Sequence, residues 1–161
     1  MEERKKFFEK LSTISKGERA ALRRCAGTML KEANGQAITV FYKYLPYGLP
    51  AFQDPYWFAA ACFACLWEET GGEAIERIMS KMKSESDSIN KRLADLLDMQ
   101  WDSDGFLLAK LTRIIQMMRQ KGYTVDCALL LDDLLFWNSG SKTVQRKWAK
   151  TFSIQQAEET K

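Results

Sequence analysis

The sequence predicts an all-α protein, a helical bundle of about eight or nine helices. Strand signals are nearly absent, because no sustained alternation of apolar and polar residues is bounded by Asn-Gly or Asp-Gly turns. Apolar residues recur instead at helical spacing between capping residues. The chain has 161 residues, 46% of them hydrophobic and 28% charged. This is enough for one folded domain over residues 1–161 without a disulfide or metal staple.

An amphipathic pattern, a capping box and a chain break predict the first three helices. An amphipathic helix is predicted over Glu2–Leu11. Ser15 and Glu18 then form a capping box, which starts a second helix near residue 16. The Asn34-Gly35 break precedes a third helix, which ends before a loop that contains proline and glycine.

The fourth predicted helix is the most apolar. Asp54 supplies its N-cap and Pro55 its first helical position, and Gly71-Gly72 ends it. Its apolar stretch, 55–67, has 13 residues, fewer than the ~20 that a membrane-spanning helix needs. We therefore expect a buried core helix and no membrane association.

The second half contains at least four more predicted helices. One lies around 74–82, and another follows the polar, Ser-rich segment 84–88. Ser103 or Asp104 caps a helix that runs to about residue 121, and Thr124 or Asp126 caps the next one, which ends near Trp137. A hinge near 71–88 would divide the bundle into two lobes.

The chain offers little for catalysis. It has no histidine, which removes the usual general base near neutral pH and the commonest metal ligand. Cys62 and Cys65 form a C-x-x-C string inside the apolar helix, where two small buried hydrophobic side chains are expected rather than a redox or zinc site. We predict a non-enzymatic protein without cofactor or metal.

The paired acids and the cysteines fit the same view. Glu68-Glu69 and Asp132-Asp133 are adjacent on their helices, so their carboxylates point about 100° apart and are expected to be solvated or salt-bridged. The four cysteines follow no secretory signal, which favours reduced thiols and a cytoplasmic location.

Positive charge is concentrated in short segments. The net charge is only +3, so any anion-binding role depends on where the cations lie. As a helix, SKTVQRKWAK (141–150) places Lys142, Arg146 and Lys150 on one stripe. Val144, Trp148 and Phe152 lie about 200° away. We expect Trp137, Trp148 and Phe152 to be core anchors rather than platforms on which bases stack.

Several further cations are predicted to share exposed helix faces, and arginine suits phosphate because its guanidinium donates two parallel hydrogen bonds. No segment shows polar base-reading side chains beside a helix-turn-helix turn, so contact without sequence preference is expected. The predicted nucleic-acid-binding residues are Lys16, Arg19, Arg23, Arg24, Lys91, Arg92, Arg113, Arg119, Lys142, Arg146, Lys147 and Lys150. Two other interpretations stay open: a merely solvated face, and a helical scaffold that binds an acidic protein partner without nucleic acid.

Two segments carry a resemblance to a known family. They are 17–24, GERAALRR, and the region from Val125-Asp126 through Trp137 to VQRKWAKTF at 144–152. In order and spacing the chain resembles the CasB family, the small subunit of the type I-E CRISPR surveillance complex, Cascade. It departs from the family where it reads Asn90-Lys91-Arg92 in place of an acid and two arginines, Lys150 in place of arginine, and Ser153 in place of an aromatic residue. Lysine keeps the charge there but loses the bidentate phosphate geometry of arginine.

The resemblance implies a non-enzymatic, all-helical subunit that packs as a homodimer within Cascade beside other Cascade subunits. It also implies that the protein lines the groove that holds crRNA paired to target DNA and stabilises the displaced strand. The basic faces and the lack of a base-reading element agree with that expectation.

Overall fold

The computed structural model describes residues 2–69 and 71–154, and within these ranges the chain is all-helical, as the sequence predicts. The described residues form nine α-helices, two short 3₁₀ turns and no β-strand. The helices are α1 Glu2–Leu11, α2 Lys16–Arg23, α3 Gly35–Tyr44, α4 Asp54–Ala64, α5 Ile75–Met82, α6 Ser88–Leu97, α7 Phe106–Gln120, α8 Cys127–Leu135 and α9 Thr143–Phe152.

Helix α4 forms the centre of the core. Every residue from Trp57 to Phe63 is buried, because the helix is apolar on all sides and can be covered on all sides. It packs mainly against α8 and also contacts α1 and α2. The remaining helices associate in pairs, α2 with α3, α5 with α9, and α6 with α7.

The predicted helix starts are confirmed where a side-chain cap is present. Ser15 Oγ accepts from the Glu18 N–H at 3.1 Å and the Glu18 carboxylate accepts from the Ser15 N–H, which completes the capping box. Asn34 caps α3 by accepting from the Ala37 N–H at 2.9 Å. Of the two residues considered before α8, Asp126 is the cap.

Two predicted caps are wrong. Asp54 is the first residue of α4 rather than its N-cap, because a 3₁₀ turn over 51–53 leads directly into the helix, and its carboxylate accepts from the Tyr42 hydroxyl at 2.8 Å. Neither Ser103 nor Asp104 caps α7. The residue before that helix is Gly105, in the left-handed region at φ 75°.

Gly71-Gly72 does not end α4, which stops at Ala64. Gly72 has φ 107°, and a Cβ there would lie 2.4 Å from the Thr124 carbonyl oxygen, so only glycine fits. The Glu73 N–H donates to Thr124 O at 3.0 Å, and the Asp126 N–H donates to Glu73 O at 2.8 Å. The glycine therefore allows the loop to pair with the segment that precedes α8.

The core role predicted for the aromatic residues at the end of the chain is confirmed. Trp137 and Trp148 are buried edge to face, with ring centroids 5.0 Å apart, and Phe152 is buried on the inner side of α9. The indole N–H of Trp137 donates to Met99 O at 2.9 Å, which satisfies its one polar atom. None of the helices in the described part of the chain has the length and hydropathy to cross a bilayer.

Candidate nucleic-acid interface

A cleft between α6 and α7 brings three of the predicted cations together. We call it the basic cleft; it has a volume of about 240 Å³ and is lined by Ser88, Lys91, Arg92, Asp95, Lys110, Arg113 and Ile114. Four of these residues are cations and one is a carboxylate, so the cleft carries excess positive charge.

Helical spacing explains how the basic cleft forms. Ser88, Lys91, Arg92 and Asp95 follow the i, i+3, i+4, i+7 pattern on one side of α6, while Ile89, Leu93 and Leu96 are buried on the other side. On α7, Lys110 and Arg113 are three positions apart and face the same way. Packing α6 on α7 therefore sets two basic stripes on either side of one cleft.

The chemistry of the basic cleft suits phosphate. Lys91 Nζ lies 3.6 Å from the Asp95 carboxylate, an exposed i,i+4 pair that leaves much of its charge available. Arg92, Lys110 and Arg113 are exposed and form no ion pair within the described residues. Two guanidinium groups and an ammonium group can each donate to a phosphate oxygen without first giving up an internal ion pair.

Lys110 is not among the predicted binding residues. Its spacing to Arg113 is visible in the sequence, because residues at i and i+3 share a helix face. What the sequence does not reveal is that this face lies opposite Lys91 and Arg92, which are about twenty residues away along the chain.

Helix α2 presents a second basic face. Lys16 and Arg23 are seven positions apart, on the same side of the helix, and Arg24 follows as the C-cap. All three side chains are exposed. They extend from the helix pair α2–α3, whereas the basic cleft lies on the pair α6–α7.

Arg19 is partly buried and bonded to the backbone of neighbouring segments. Its guanidinium donates to Trp67 O at 3.0 Å and to Leu11 O and Ser12 O at 3.1 Å each. These bonds satisfy carbonyl groups at the end of α1 and beyond α4 that have no helical partner. Arg19 thus fixes three segments to one another, and we leave it out of the proposed interface.

We expect Arg19→Lys to lower the free energy of unfolding by about 2 kcal/mol, because lysine cannot reproduce the forked contact to several carbonyls. Urea denaturation measures the change. Arg23→Lys is the matched control, since Arg23 is exposed and its substitution is expected to leave stability unchanged. Equal stability of the Arg19 and Arg23 variants would contradict a structural role for Arg19.

Helix α9 carries the third basic face. Arg146 and Lys150 are four positions apart and both are exposed. Lys142 was predicted to continue this stripe within a helix, but it lies before the first residue of α9 in the left-handed conformation, at φ 55°. Its side chain is exposed at the start of the helix.

Lys147 is engaged by buried acids. Its Nζ lies 2.5 Å from Asp133 Oδ1 and 3.9 Å from Glu76 Oε2. Asp133 Oδ2 also accepts from the indole N–H of Trp148 at 2.8 Å. Asp133 and Glu76 are both buried, so Lys147 compensates charge that water cannot reach. This pairing makes it a weaker candidate for phosphate contact than Arg146 or Lys150.

Arg119 lies apart from the basic cleft. It is six residues from Arg113, about 240° around α7, and its Nε donates to Leu66 O at 2.9 Å. The predicted cations are thus distributed over three helix pairs, α2–α3, α6–α7 and α5–α9, and the best-defined group is the one that includes the unpredicted Lys110.

The thiols agree with a core role for the C-x-x-C string. All four cysteines are free and buried. Burial raises the pKa of the Cys65 thiol to about 11 and raises the pKa values of Cys62 and Cys127 as well. Thiols with raised pKa values are neutral and weakly nucleophilic. Within the described residues, no group of cysteine and acidic side chains is arranged to hold a metal ion.

A family model and a solved structure point to the same family. Residues 18–152 match the model of the family described as CRISPR-associated protein Cse2. A solved Cse2-family protein from Thermus thermophilus is 25% identical, with a TM-score of 0.78 over 92% of this chain and 96% of that one. No curated protein sequence matches the chain.

Two further solved structures share the fold at lower identity. CasB of M. ruber is 20% identical, with a TM-score of 0.76 over 98% of this chain and 96% of that one. A chain of a CRISPR RNA-guided surveillance complex is 18% identical, with a TM-score of 0.77 over 94% of this chain and 91% of that one.

Proposed function

Because this chain belongs to the Cse2 family of CRISPR-associated proteins, we propose that it is a non-enzymatic nucleic-acid-binding subunit of a cytoplasmic Cascade assembly. In this role it contacts phosphates of crRNA, target DNA and the displaced strand without reading their sequence, beside other Cascade subunits and a second copy of itself. The family expected from the sequence is confirmed.

The observation that carries this proposal is the basic cleft. It gathers four cations against one carboxylate, and three of the cations have no ion pair among the described residues. A duplex or single strand presents a row of phosphates, and neutralising each one releases condensed counterions. The exposed cations Arg23, Arg24, Arg146 and Lys150 on α2 and α9 supply further phosphate contacts in the same proposal.

The side chains around the basic cleft also support binding without sequence preference. Its lining consists of cations, one carboxylate, one serine and one isoleucine. Base-specific readout usually needs bidentate pairing of Arg, Asn or Gln to base edges in the major groove from an inserted helix or strand. The charged side chains of the cleft extend from two packed helices rather than from one projecting helix or strand. This arrangement suits contact with the phosphate backbone of a nucleic acid.

Fluorescence anisotropy of the isolated protein with random single-stranded DNA tests the proposal. We expect an affinity in the non-specific range, Kd ~10⁻⁴ to 10⁻⁶ M at physiological salt, and a plot of log K against log salt with a slope of about −0.7 for each phosphate contacted. Binding to two unrelated sequences should be equal.

Salt-independent binding would contradict a phosphate role. So would a lack of binding to single- and double-stranded nucleic acid at low salt, combined with binding to an acidic protein, because that result would support the scaffold interpretation of the basic faces.

A further inference from the structure

On another part of the molecule lies a cavity of about 400 Å³ between α1, α4 and α8. Its floor is apolar and is formed by Phe8, Leu11, Ala64, Trp67, Val125 and Leu129. Its described rim is mostly acidic, with Glu9, Glu68, Glu69 and Asp126 against Lys5. We call it the acid-rimmed cavity.

The apolar floor is available to a ligand. Leu129 is 38% exposed although it is a large hydrophobic residue, and Trp67 is half-buried with its indole N–H already donating to Tyr123 O at 3.0 Å. The Trp67 ring therefore offers an apolar surface without an unsatisfied polar atom. A cavity of this volume falls within the usual range of binding pockets, ~300 to 1,000 Å³.

The charges around the acid-rimmed cavity select its ligand. Arg19 lines the cavity too, and it keeps its positive charge because its guanidinium is bonded only to the neutral carbonyl oxygens of Leu11, Ser12 and Trp67. Four acidic residues therefore stand against two basic ones, Lys5 and Arg19, so the lining still carries excess negative charge. Glu68, Glu69 and Glu9 are exposed at the rim. Phosphates are repelled by such a rim, whereas lysine and arginine side chains are attracted.

We propose that the acid-rimmed cavity is a docking site for another protein subunit of the assembly, through a segment that inserts one apolar side chain flanked by lysine or arginine. This inference rests on the proposed function, because it assumes that the chain works inside a Cascade assembly. The chain then uses surfaces of opposite charge for its two tasks, a basic cleft for phosphates and an acid-rimmed cavity for protein.

The energetics suit a small anchored contact. Hot spots in protein interfaces are buried apolar or aromatic anchors in pockets, surrounded by polar contacts that exclude water. Phe8, Leu11 and Trp67 can desolvate such an anchor, while Glu68 and Glu69 lie at the rim, where complementary charge guides the partner and fixes its orientation.

The test uses the full chain and a crRNA-containing assembly purified from cells that express the other Cascade subunits without this chain. Labelled protein is titrated with that assembly. We expect the double variant Glu68→Lys/Glu69→Lys to bind about tenfold or more weakly than the unaltered chain. Leu129→Gln should weaken binding by about threefold to tenfold, because it places a polar group over the apolar floor.

The matched control is Glu32→Lys/Asp104→Lys, which makes the same change in net charge at two exposed acids outside the cavity. It should bind the assembly as the unaltered chain does. Equal weakening by the two double variants, or no weakening by Glu68→Lys/Glu69→Lys and Leu129→Gln, would overturn the docking proposal.

Two additional readouts separate this proposal from the proposed function. Binding of the isolated Glu68→Lys/Glu69→Lys variant to random single-stranded DNA should be as strong as normal or stronger, since the substitutions lie outside the basic cleft. If the substitutions instead change self-association in sedimentation velocity and leave assembly binding intact, the cavity is occupied by a second copy of the chain and the proposal of a different subunit is wrong.

Discussion

Asp133→Ala is expected to lower the free energy of unfolding by about 3 kcal/mol. Asp133 is 5% exposed and joins two helices, because it extends from α8 and accepts hydrogen bonds from Trp148 and Lys147 on α9. Alanine would remove both acceptors at once. For a chain of this size the melting temperature should fall by about 9 °C, which calorimetry or thermal circular dichroism measures.

Most of this cost comes from Trp148. The residue is fully buried, so its indole N–H would have no acceptor and no water after the substitution. The Lys147 side chain is 50% exposed and can regain solvent, so the loss of its ion pair costs less. Asp133→Asn tests this division, because its amide oxygen still accepts from the indole N–H; it should destabilise the protein clearly less than alanine does.

Glu76→Gln is the second control in the same cluster. Burial, with a smaller effect from the nearby Asp133 carboxylate, raises the pKa of Glu76 above its ordinary value, while Lys147 and Arg77 oppose the shift. A carboxyl whose pKa is raised by folding binds more protons in the folded state, so its contribution to stability falls as the pH rises from the ordinary glutamate pKa, ~4.3, through the raised one.

Glu76→Gln should therefore be as stable as the unaltered protein or more stable at pH ~7, with the difference disappearing below pH ~4. A cost below ~1 kcal/mol for Asp133→Ala, or a cost for Glu76→Gln at neutral pH that matches it, would contradict Asp133 as the acceptor that joins α8 to α9.

Sequence rules that act over a few residues were sufficient to predict that the helices exist and where several of them begin. The capping box at Ser15 and the Asn34 and Asp126 caps act over three residues, so each can be recognised in the sequence. The errors arose where the backbone alone sets the boundary. Gly105 precedes α7 in the left-handed conformation without a side-chain cap, and Gly71-Gly72, interpreted as a helix end, lies in a loop seven residues beyond α4.

The binding surfaces could be predicted only in part from the sequence, because they depend on contacts between segments that are distant along the chain. Whether an arginine faces solvent is visible from helical spacing, but whether its donors are free is not, as Arg19 shows through its bonds to Leu11, Ser12 and Trp67. In the same way, Lys147 is paired with acids from α5 and α8, and Lys110 becomes part of a site only because α7 packs on α6. A single sequence does not state which helices pair.

The basic cleft allows the sharpest test of nucleic-acid binding. We expect the triple variant Arg92→Gln/Lys110→Gln/Arg113→Gln to reduce the salt dependence of binding to random single-stranded DNA by about 2 in the log-log slope. Each cation contributes about 0.7 if it neutralises one phosphate. Lys91 stays unaltered because Asp95 already lies 3.6 Å from its ammonium group.

The same slope fixes the loss of affinity. If the two proteins bind equally at about 1 M salt, where the counterion contribution vanishes, three missing contacts weaken binding by roughly 500-fold at about 50 mM salt and by about 30-fold at about 200 mM. All three residues are exposed, so stability should change little. Anisotropy titrations at four salt concentrations give both quantities from one set of measurements.

Three exposed lysines elsewhere provide the control. Lys6→Gln/Lys10→Gln/Lys31→Gln removes the same charge from residues outside the basic cleft. If binding depended only on net charge, the two triple variants would show the same slope, and the cleft would have no special role. If phosphates enter the cleft, only the variant Arg92→Gln/Lys110→Gln/Arg113→Gln shows a weaker salt dependence. The reason is that counterions are released where a cation and a phosphate come close together, and not in proportion to the charge of the whole protein.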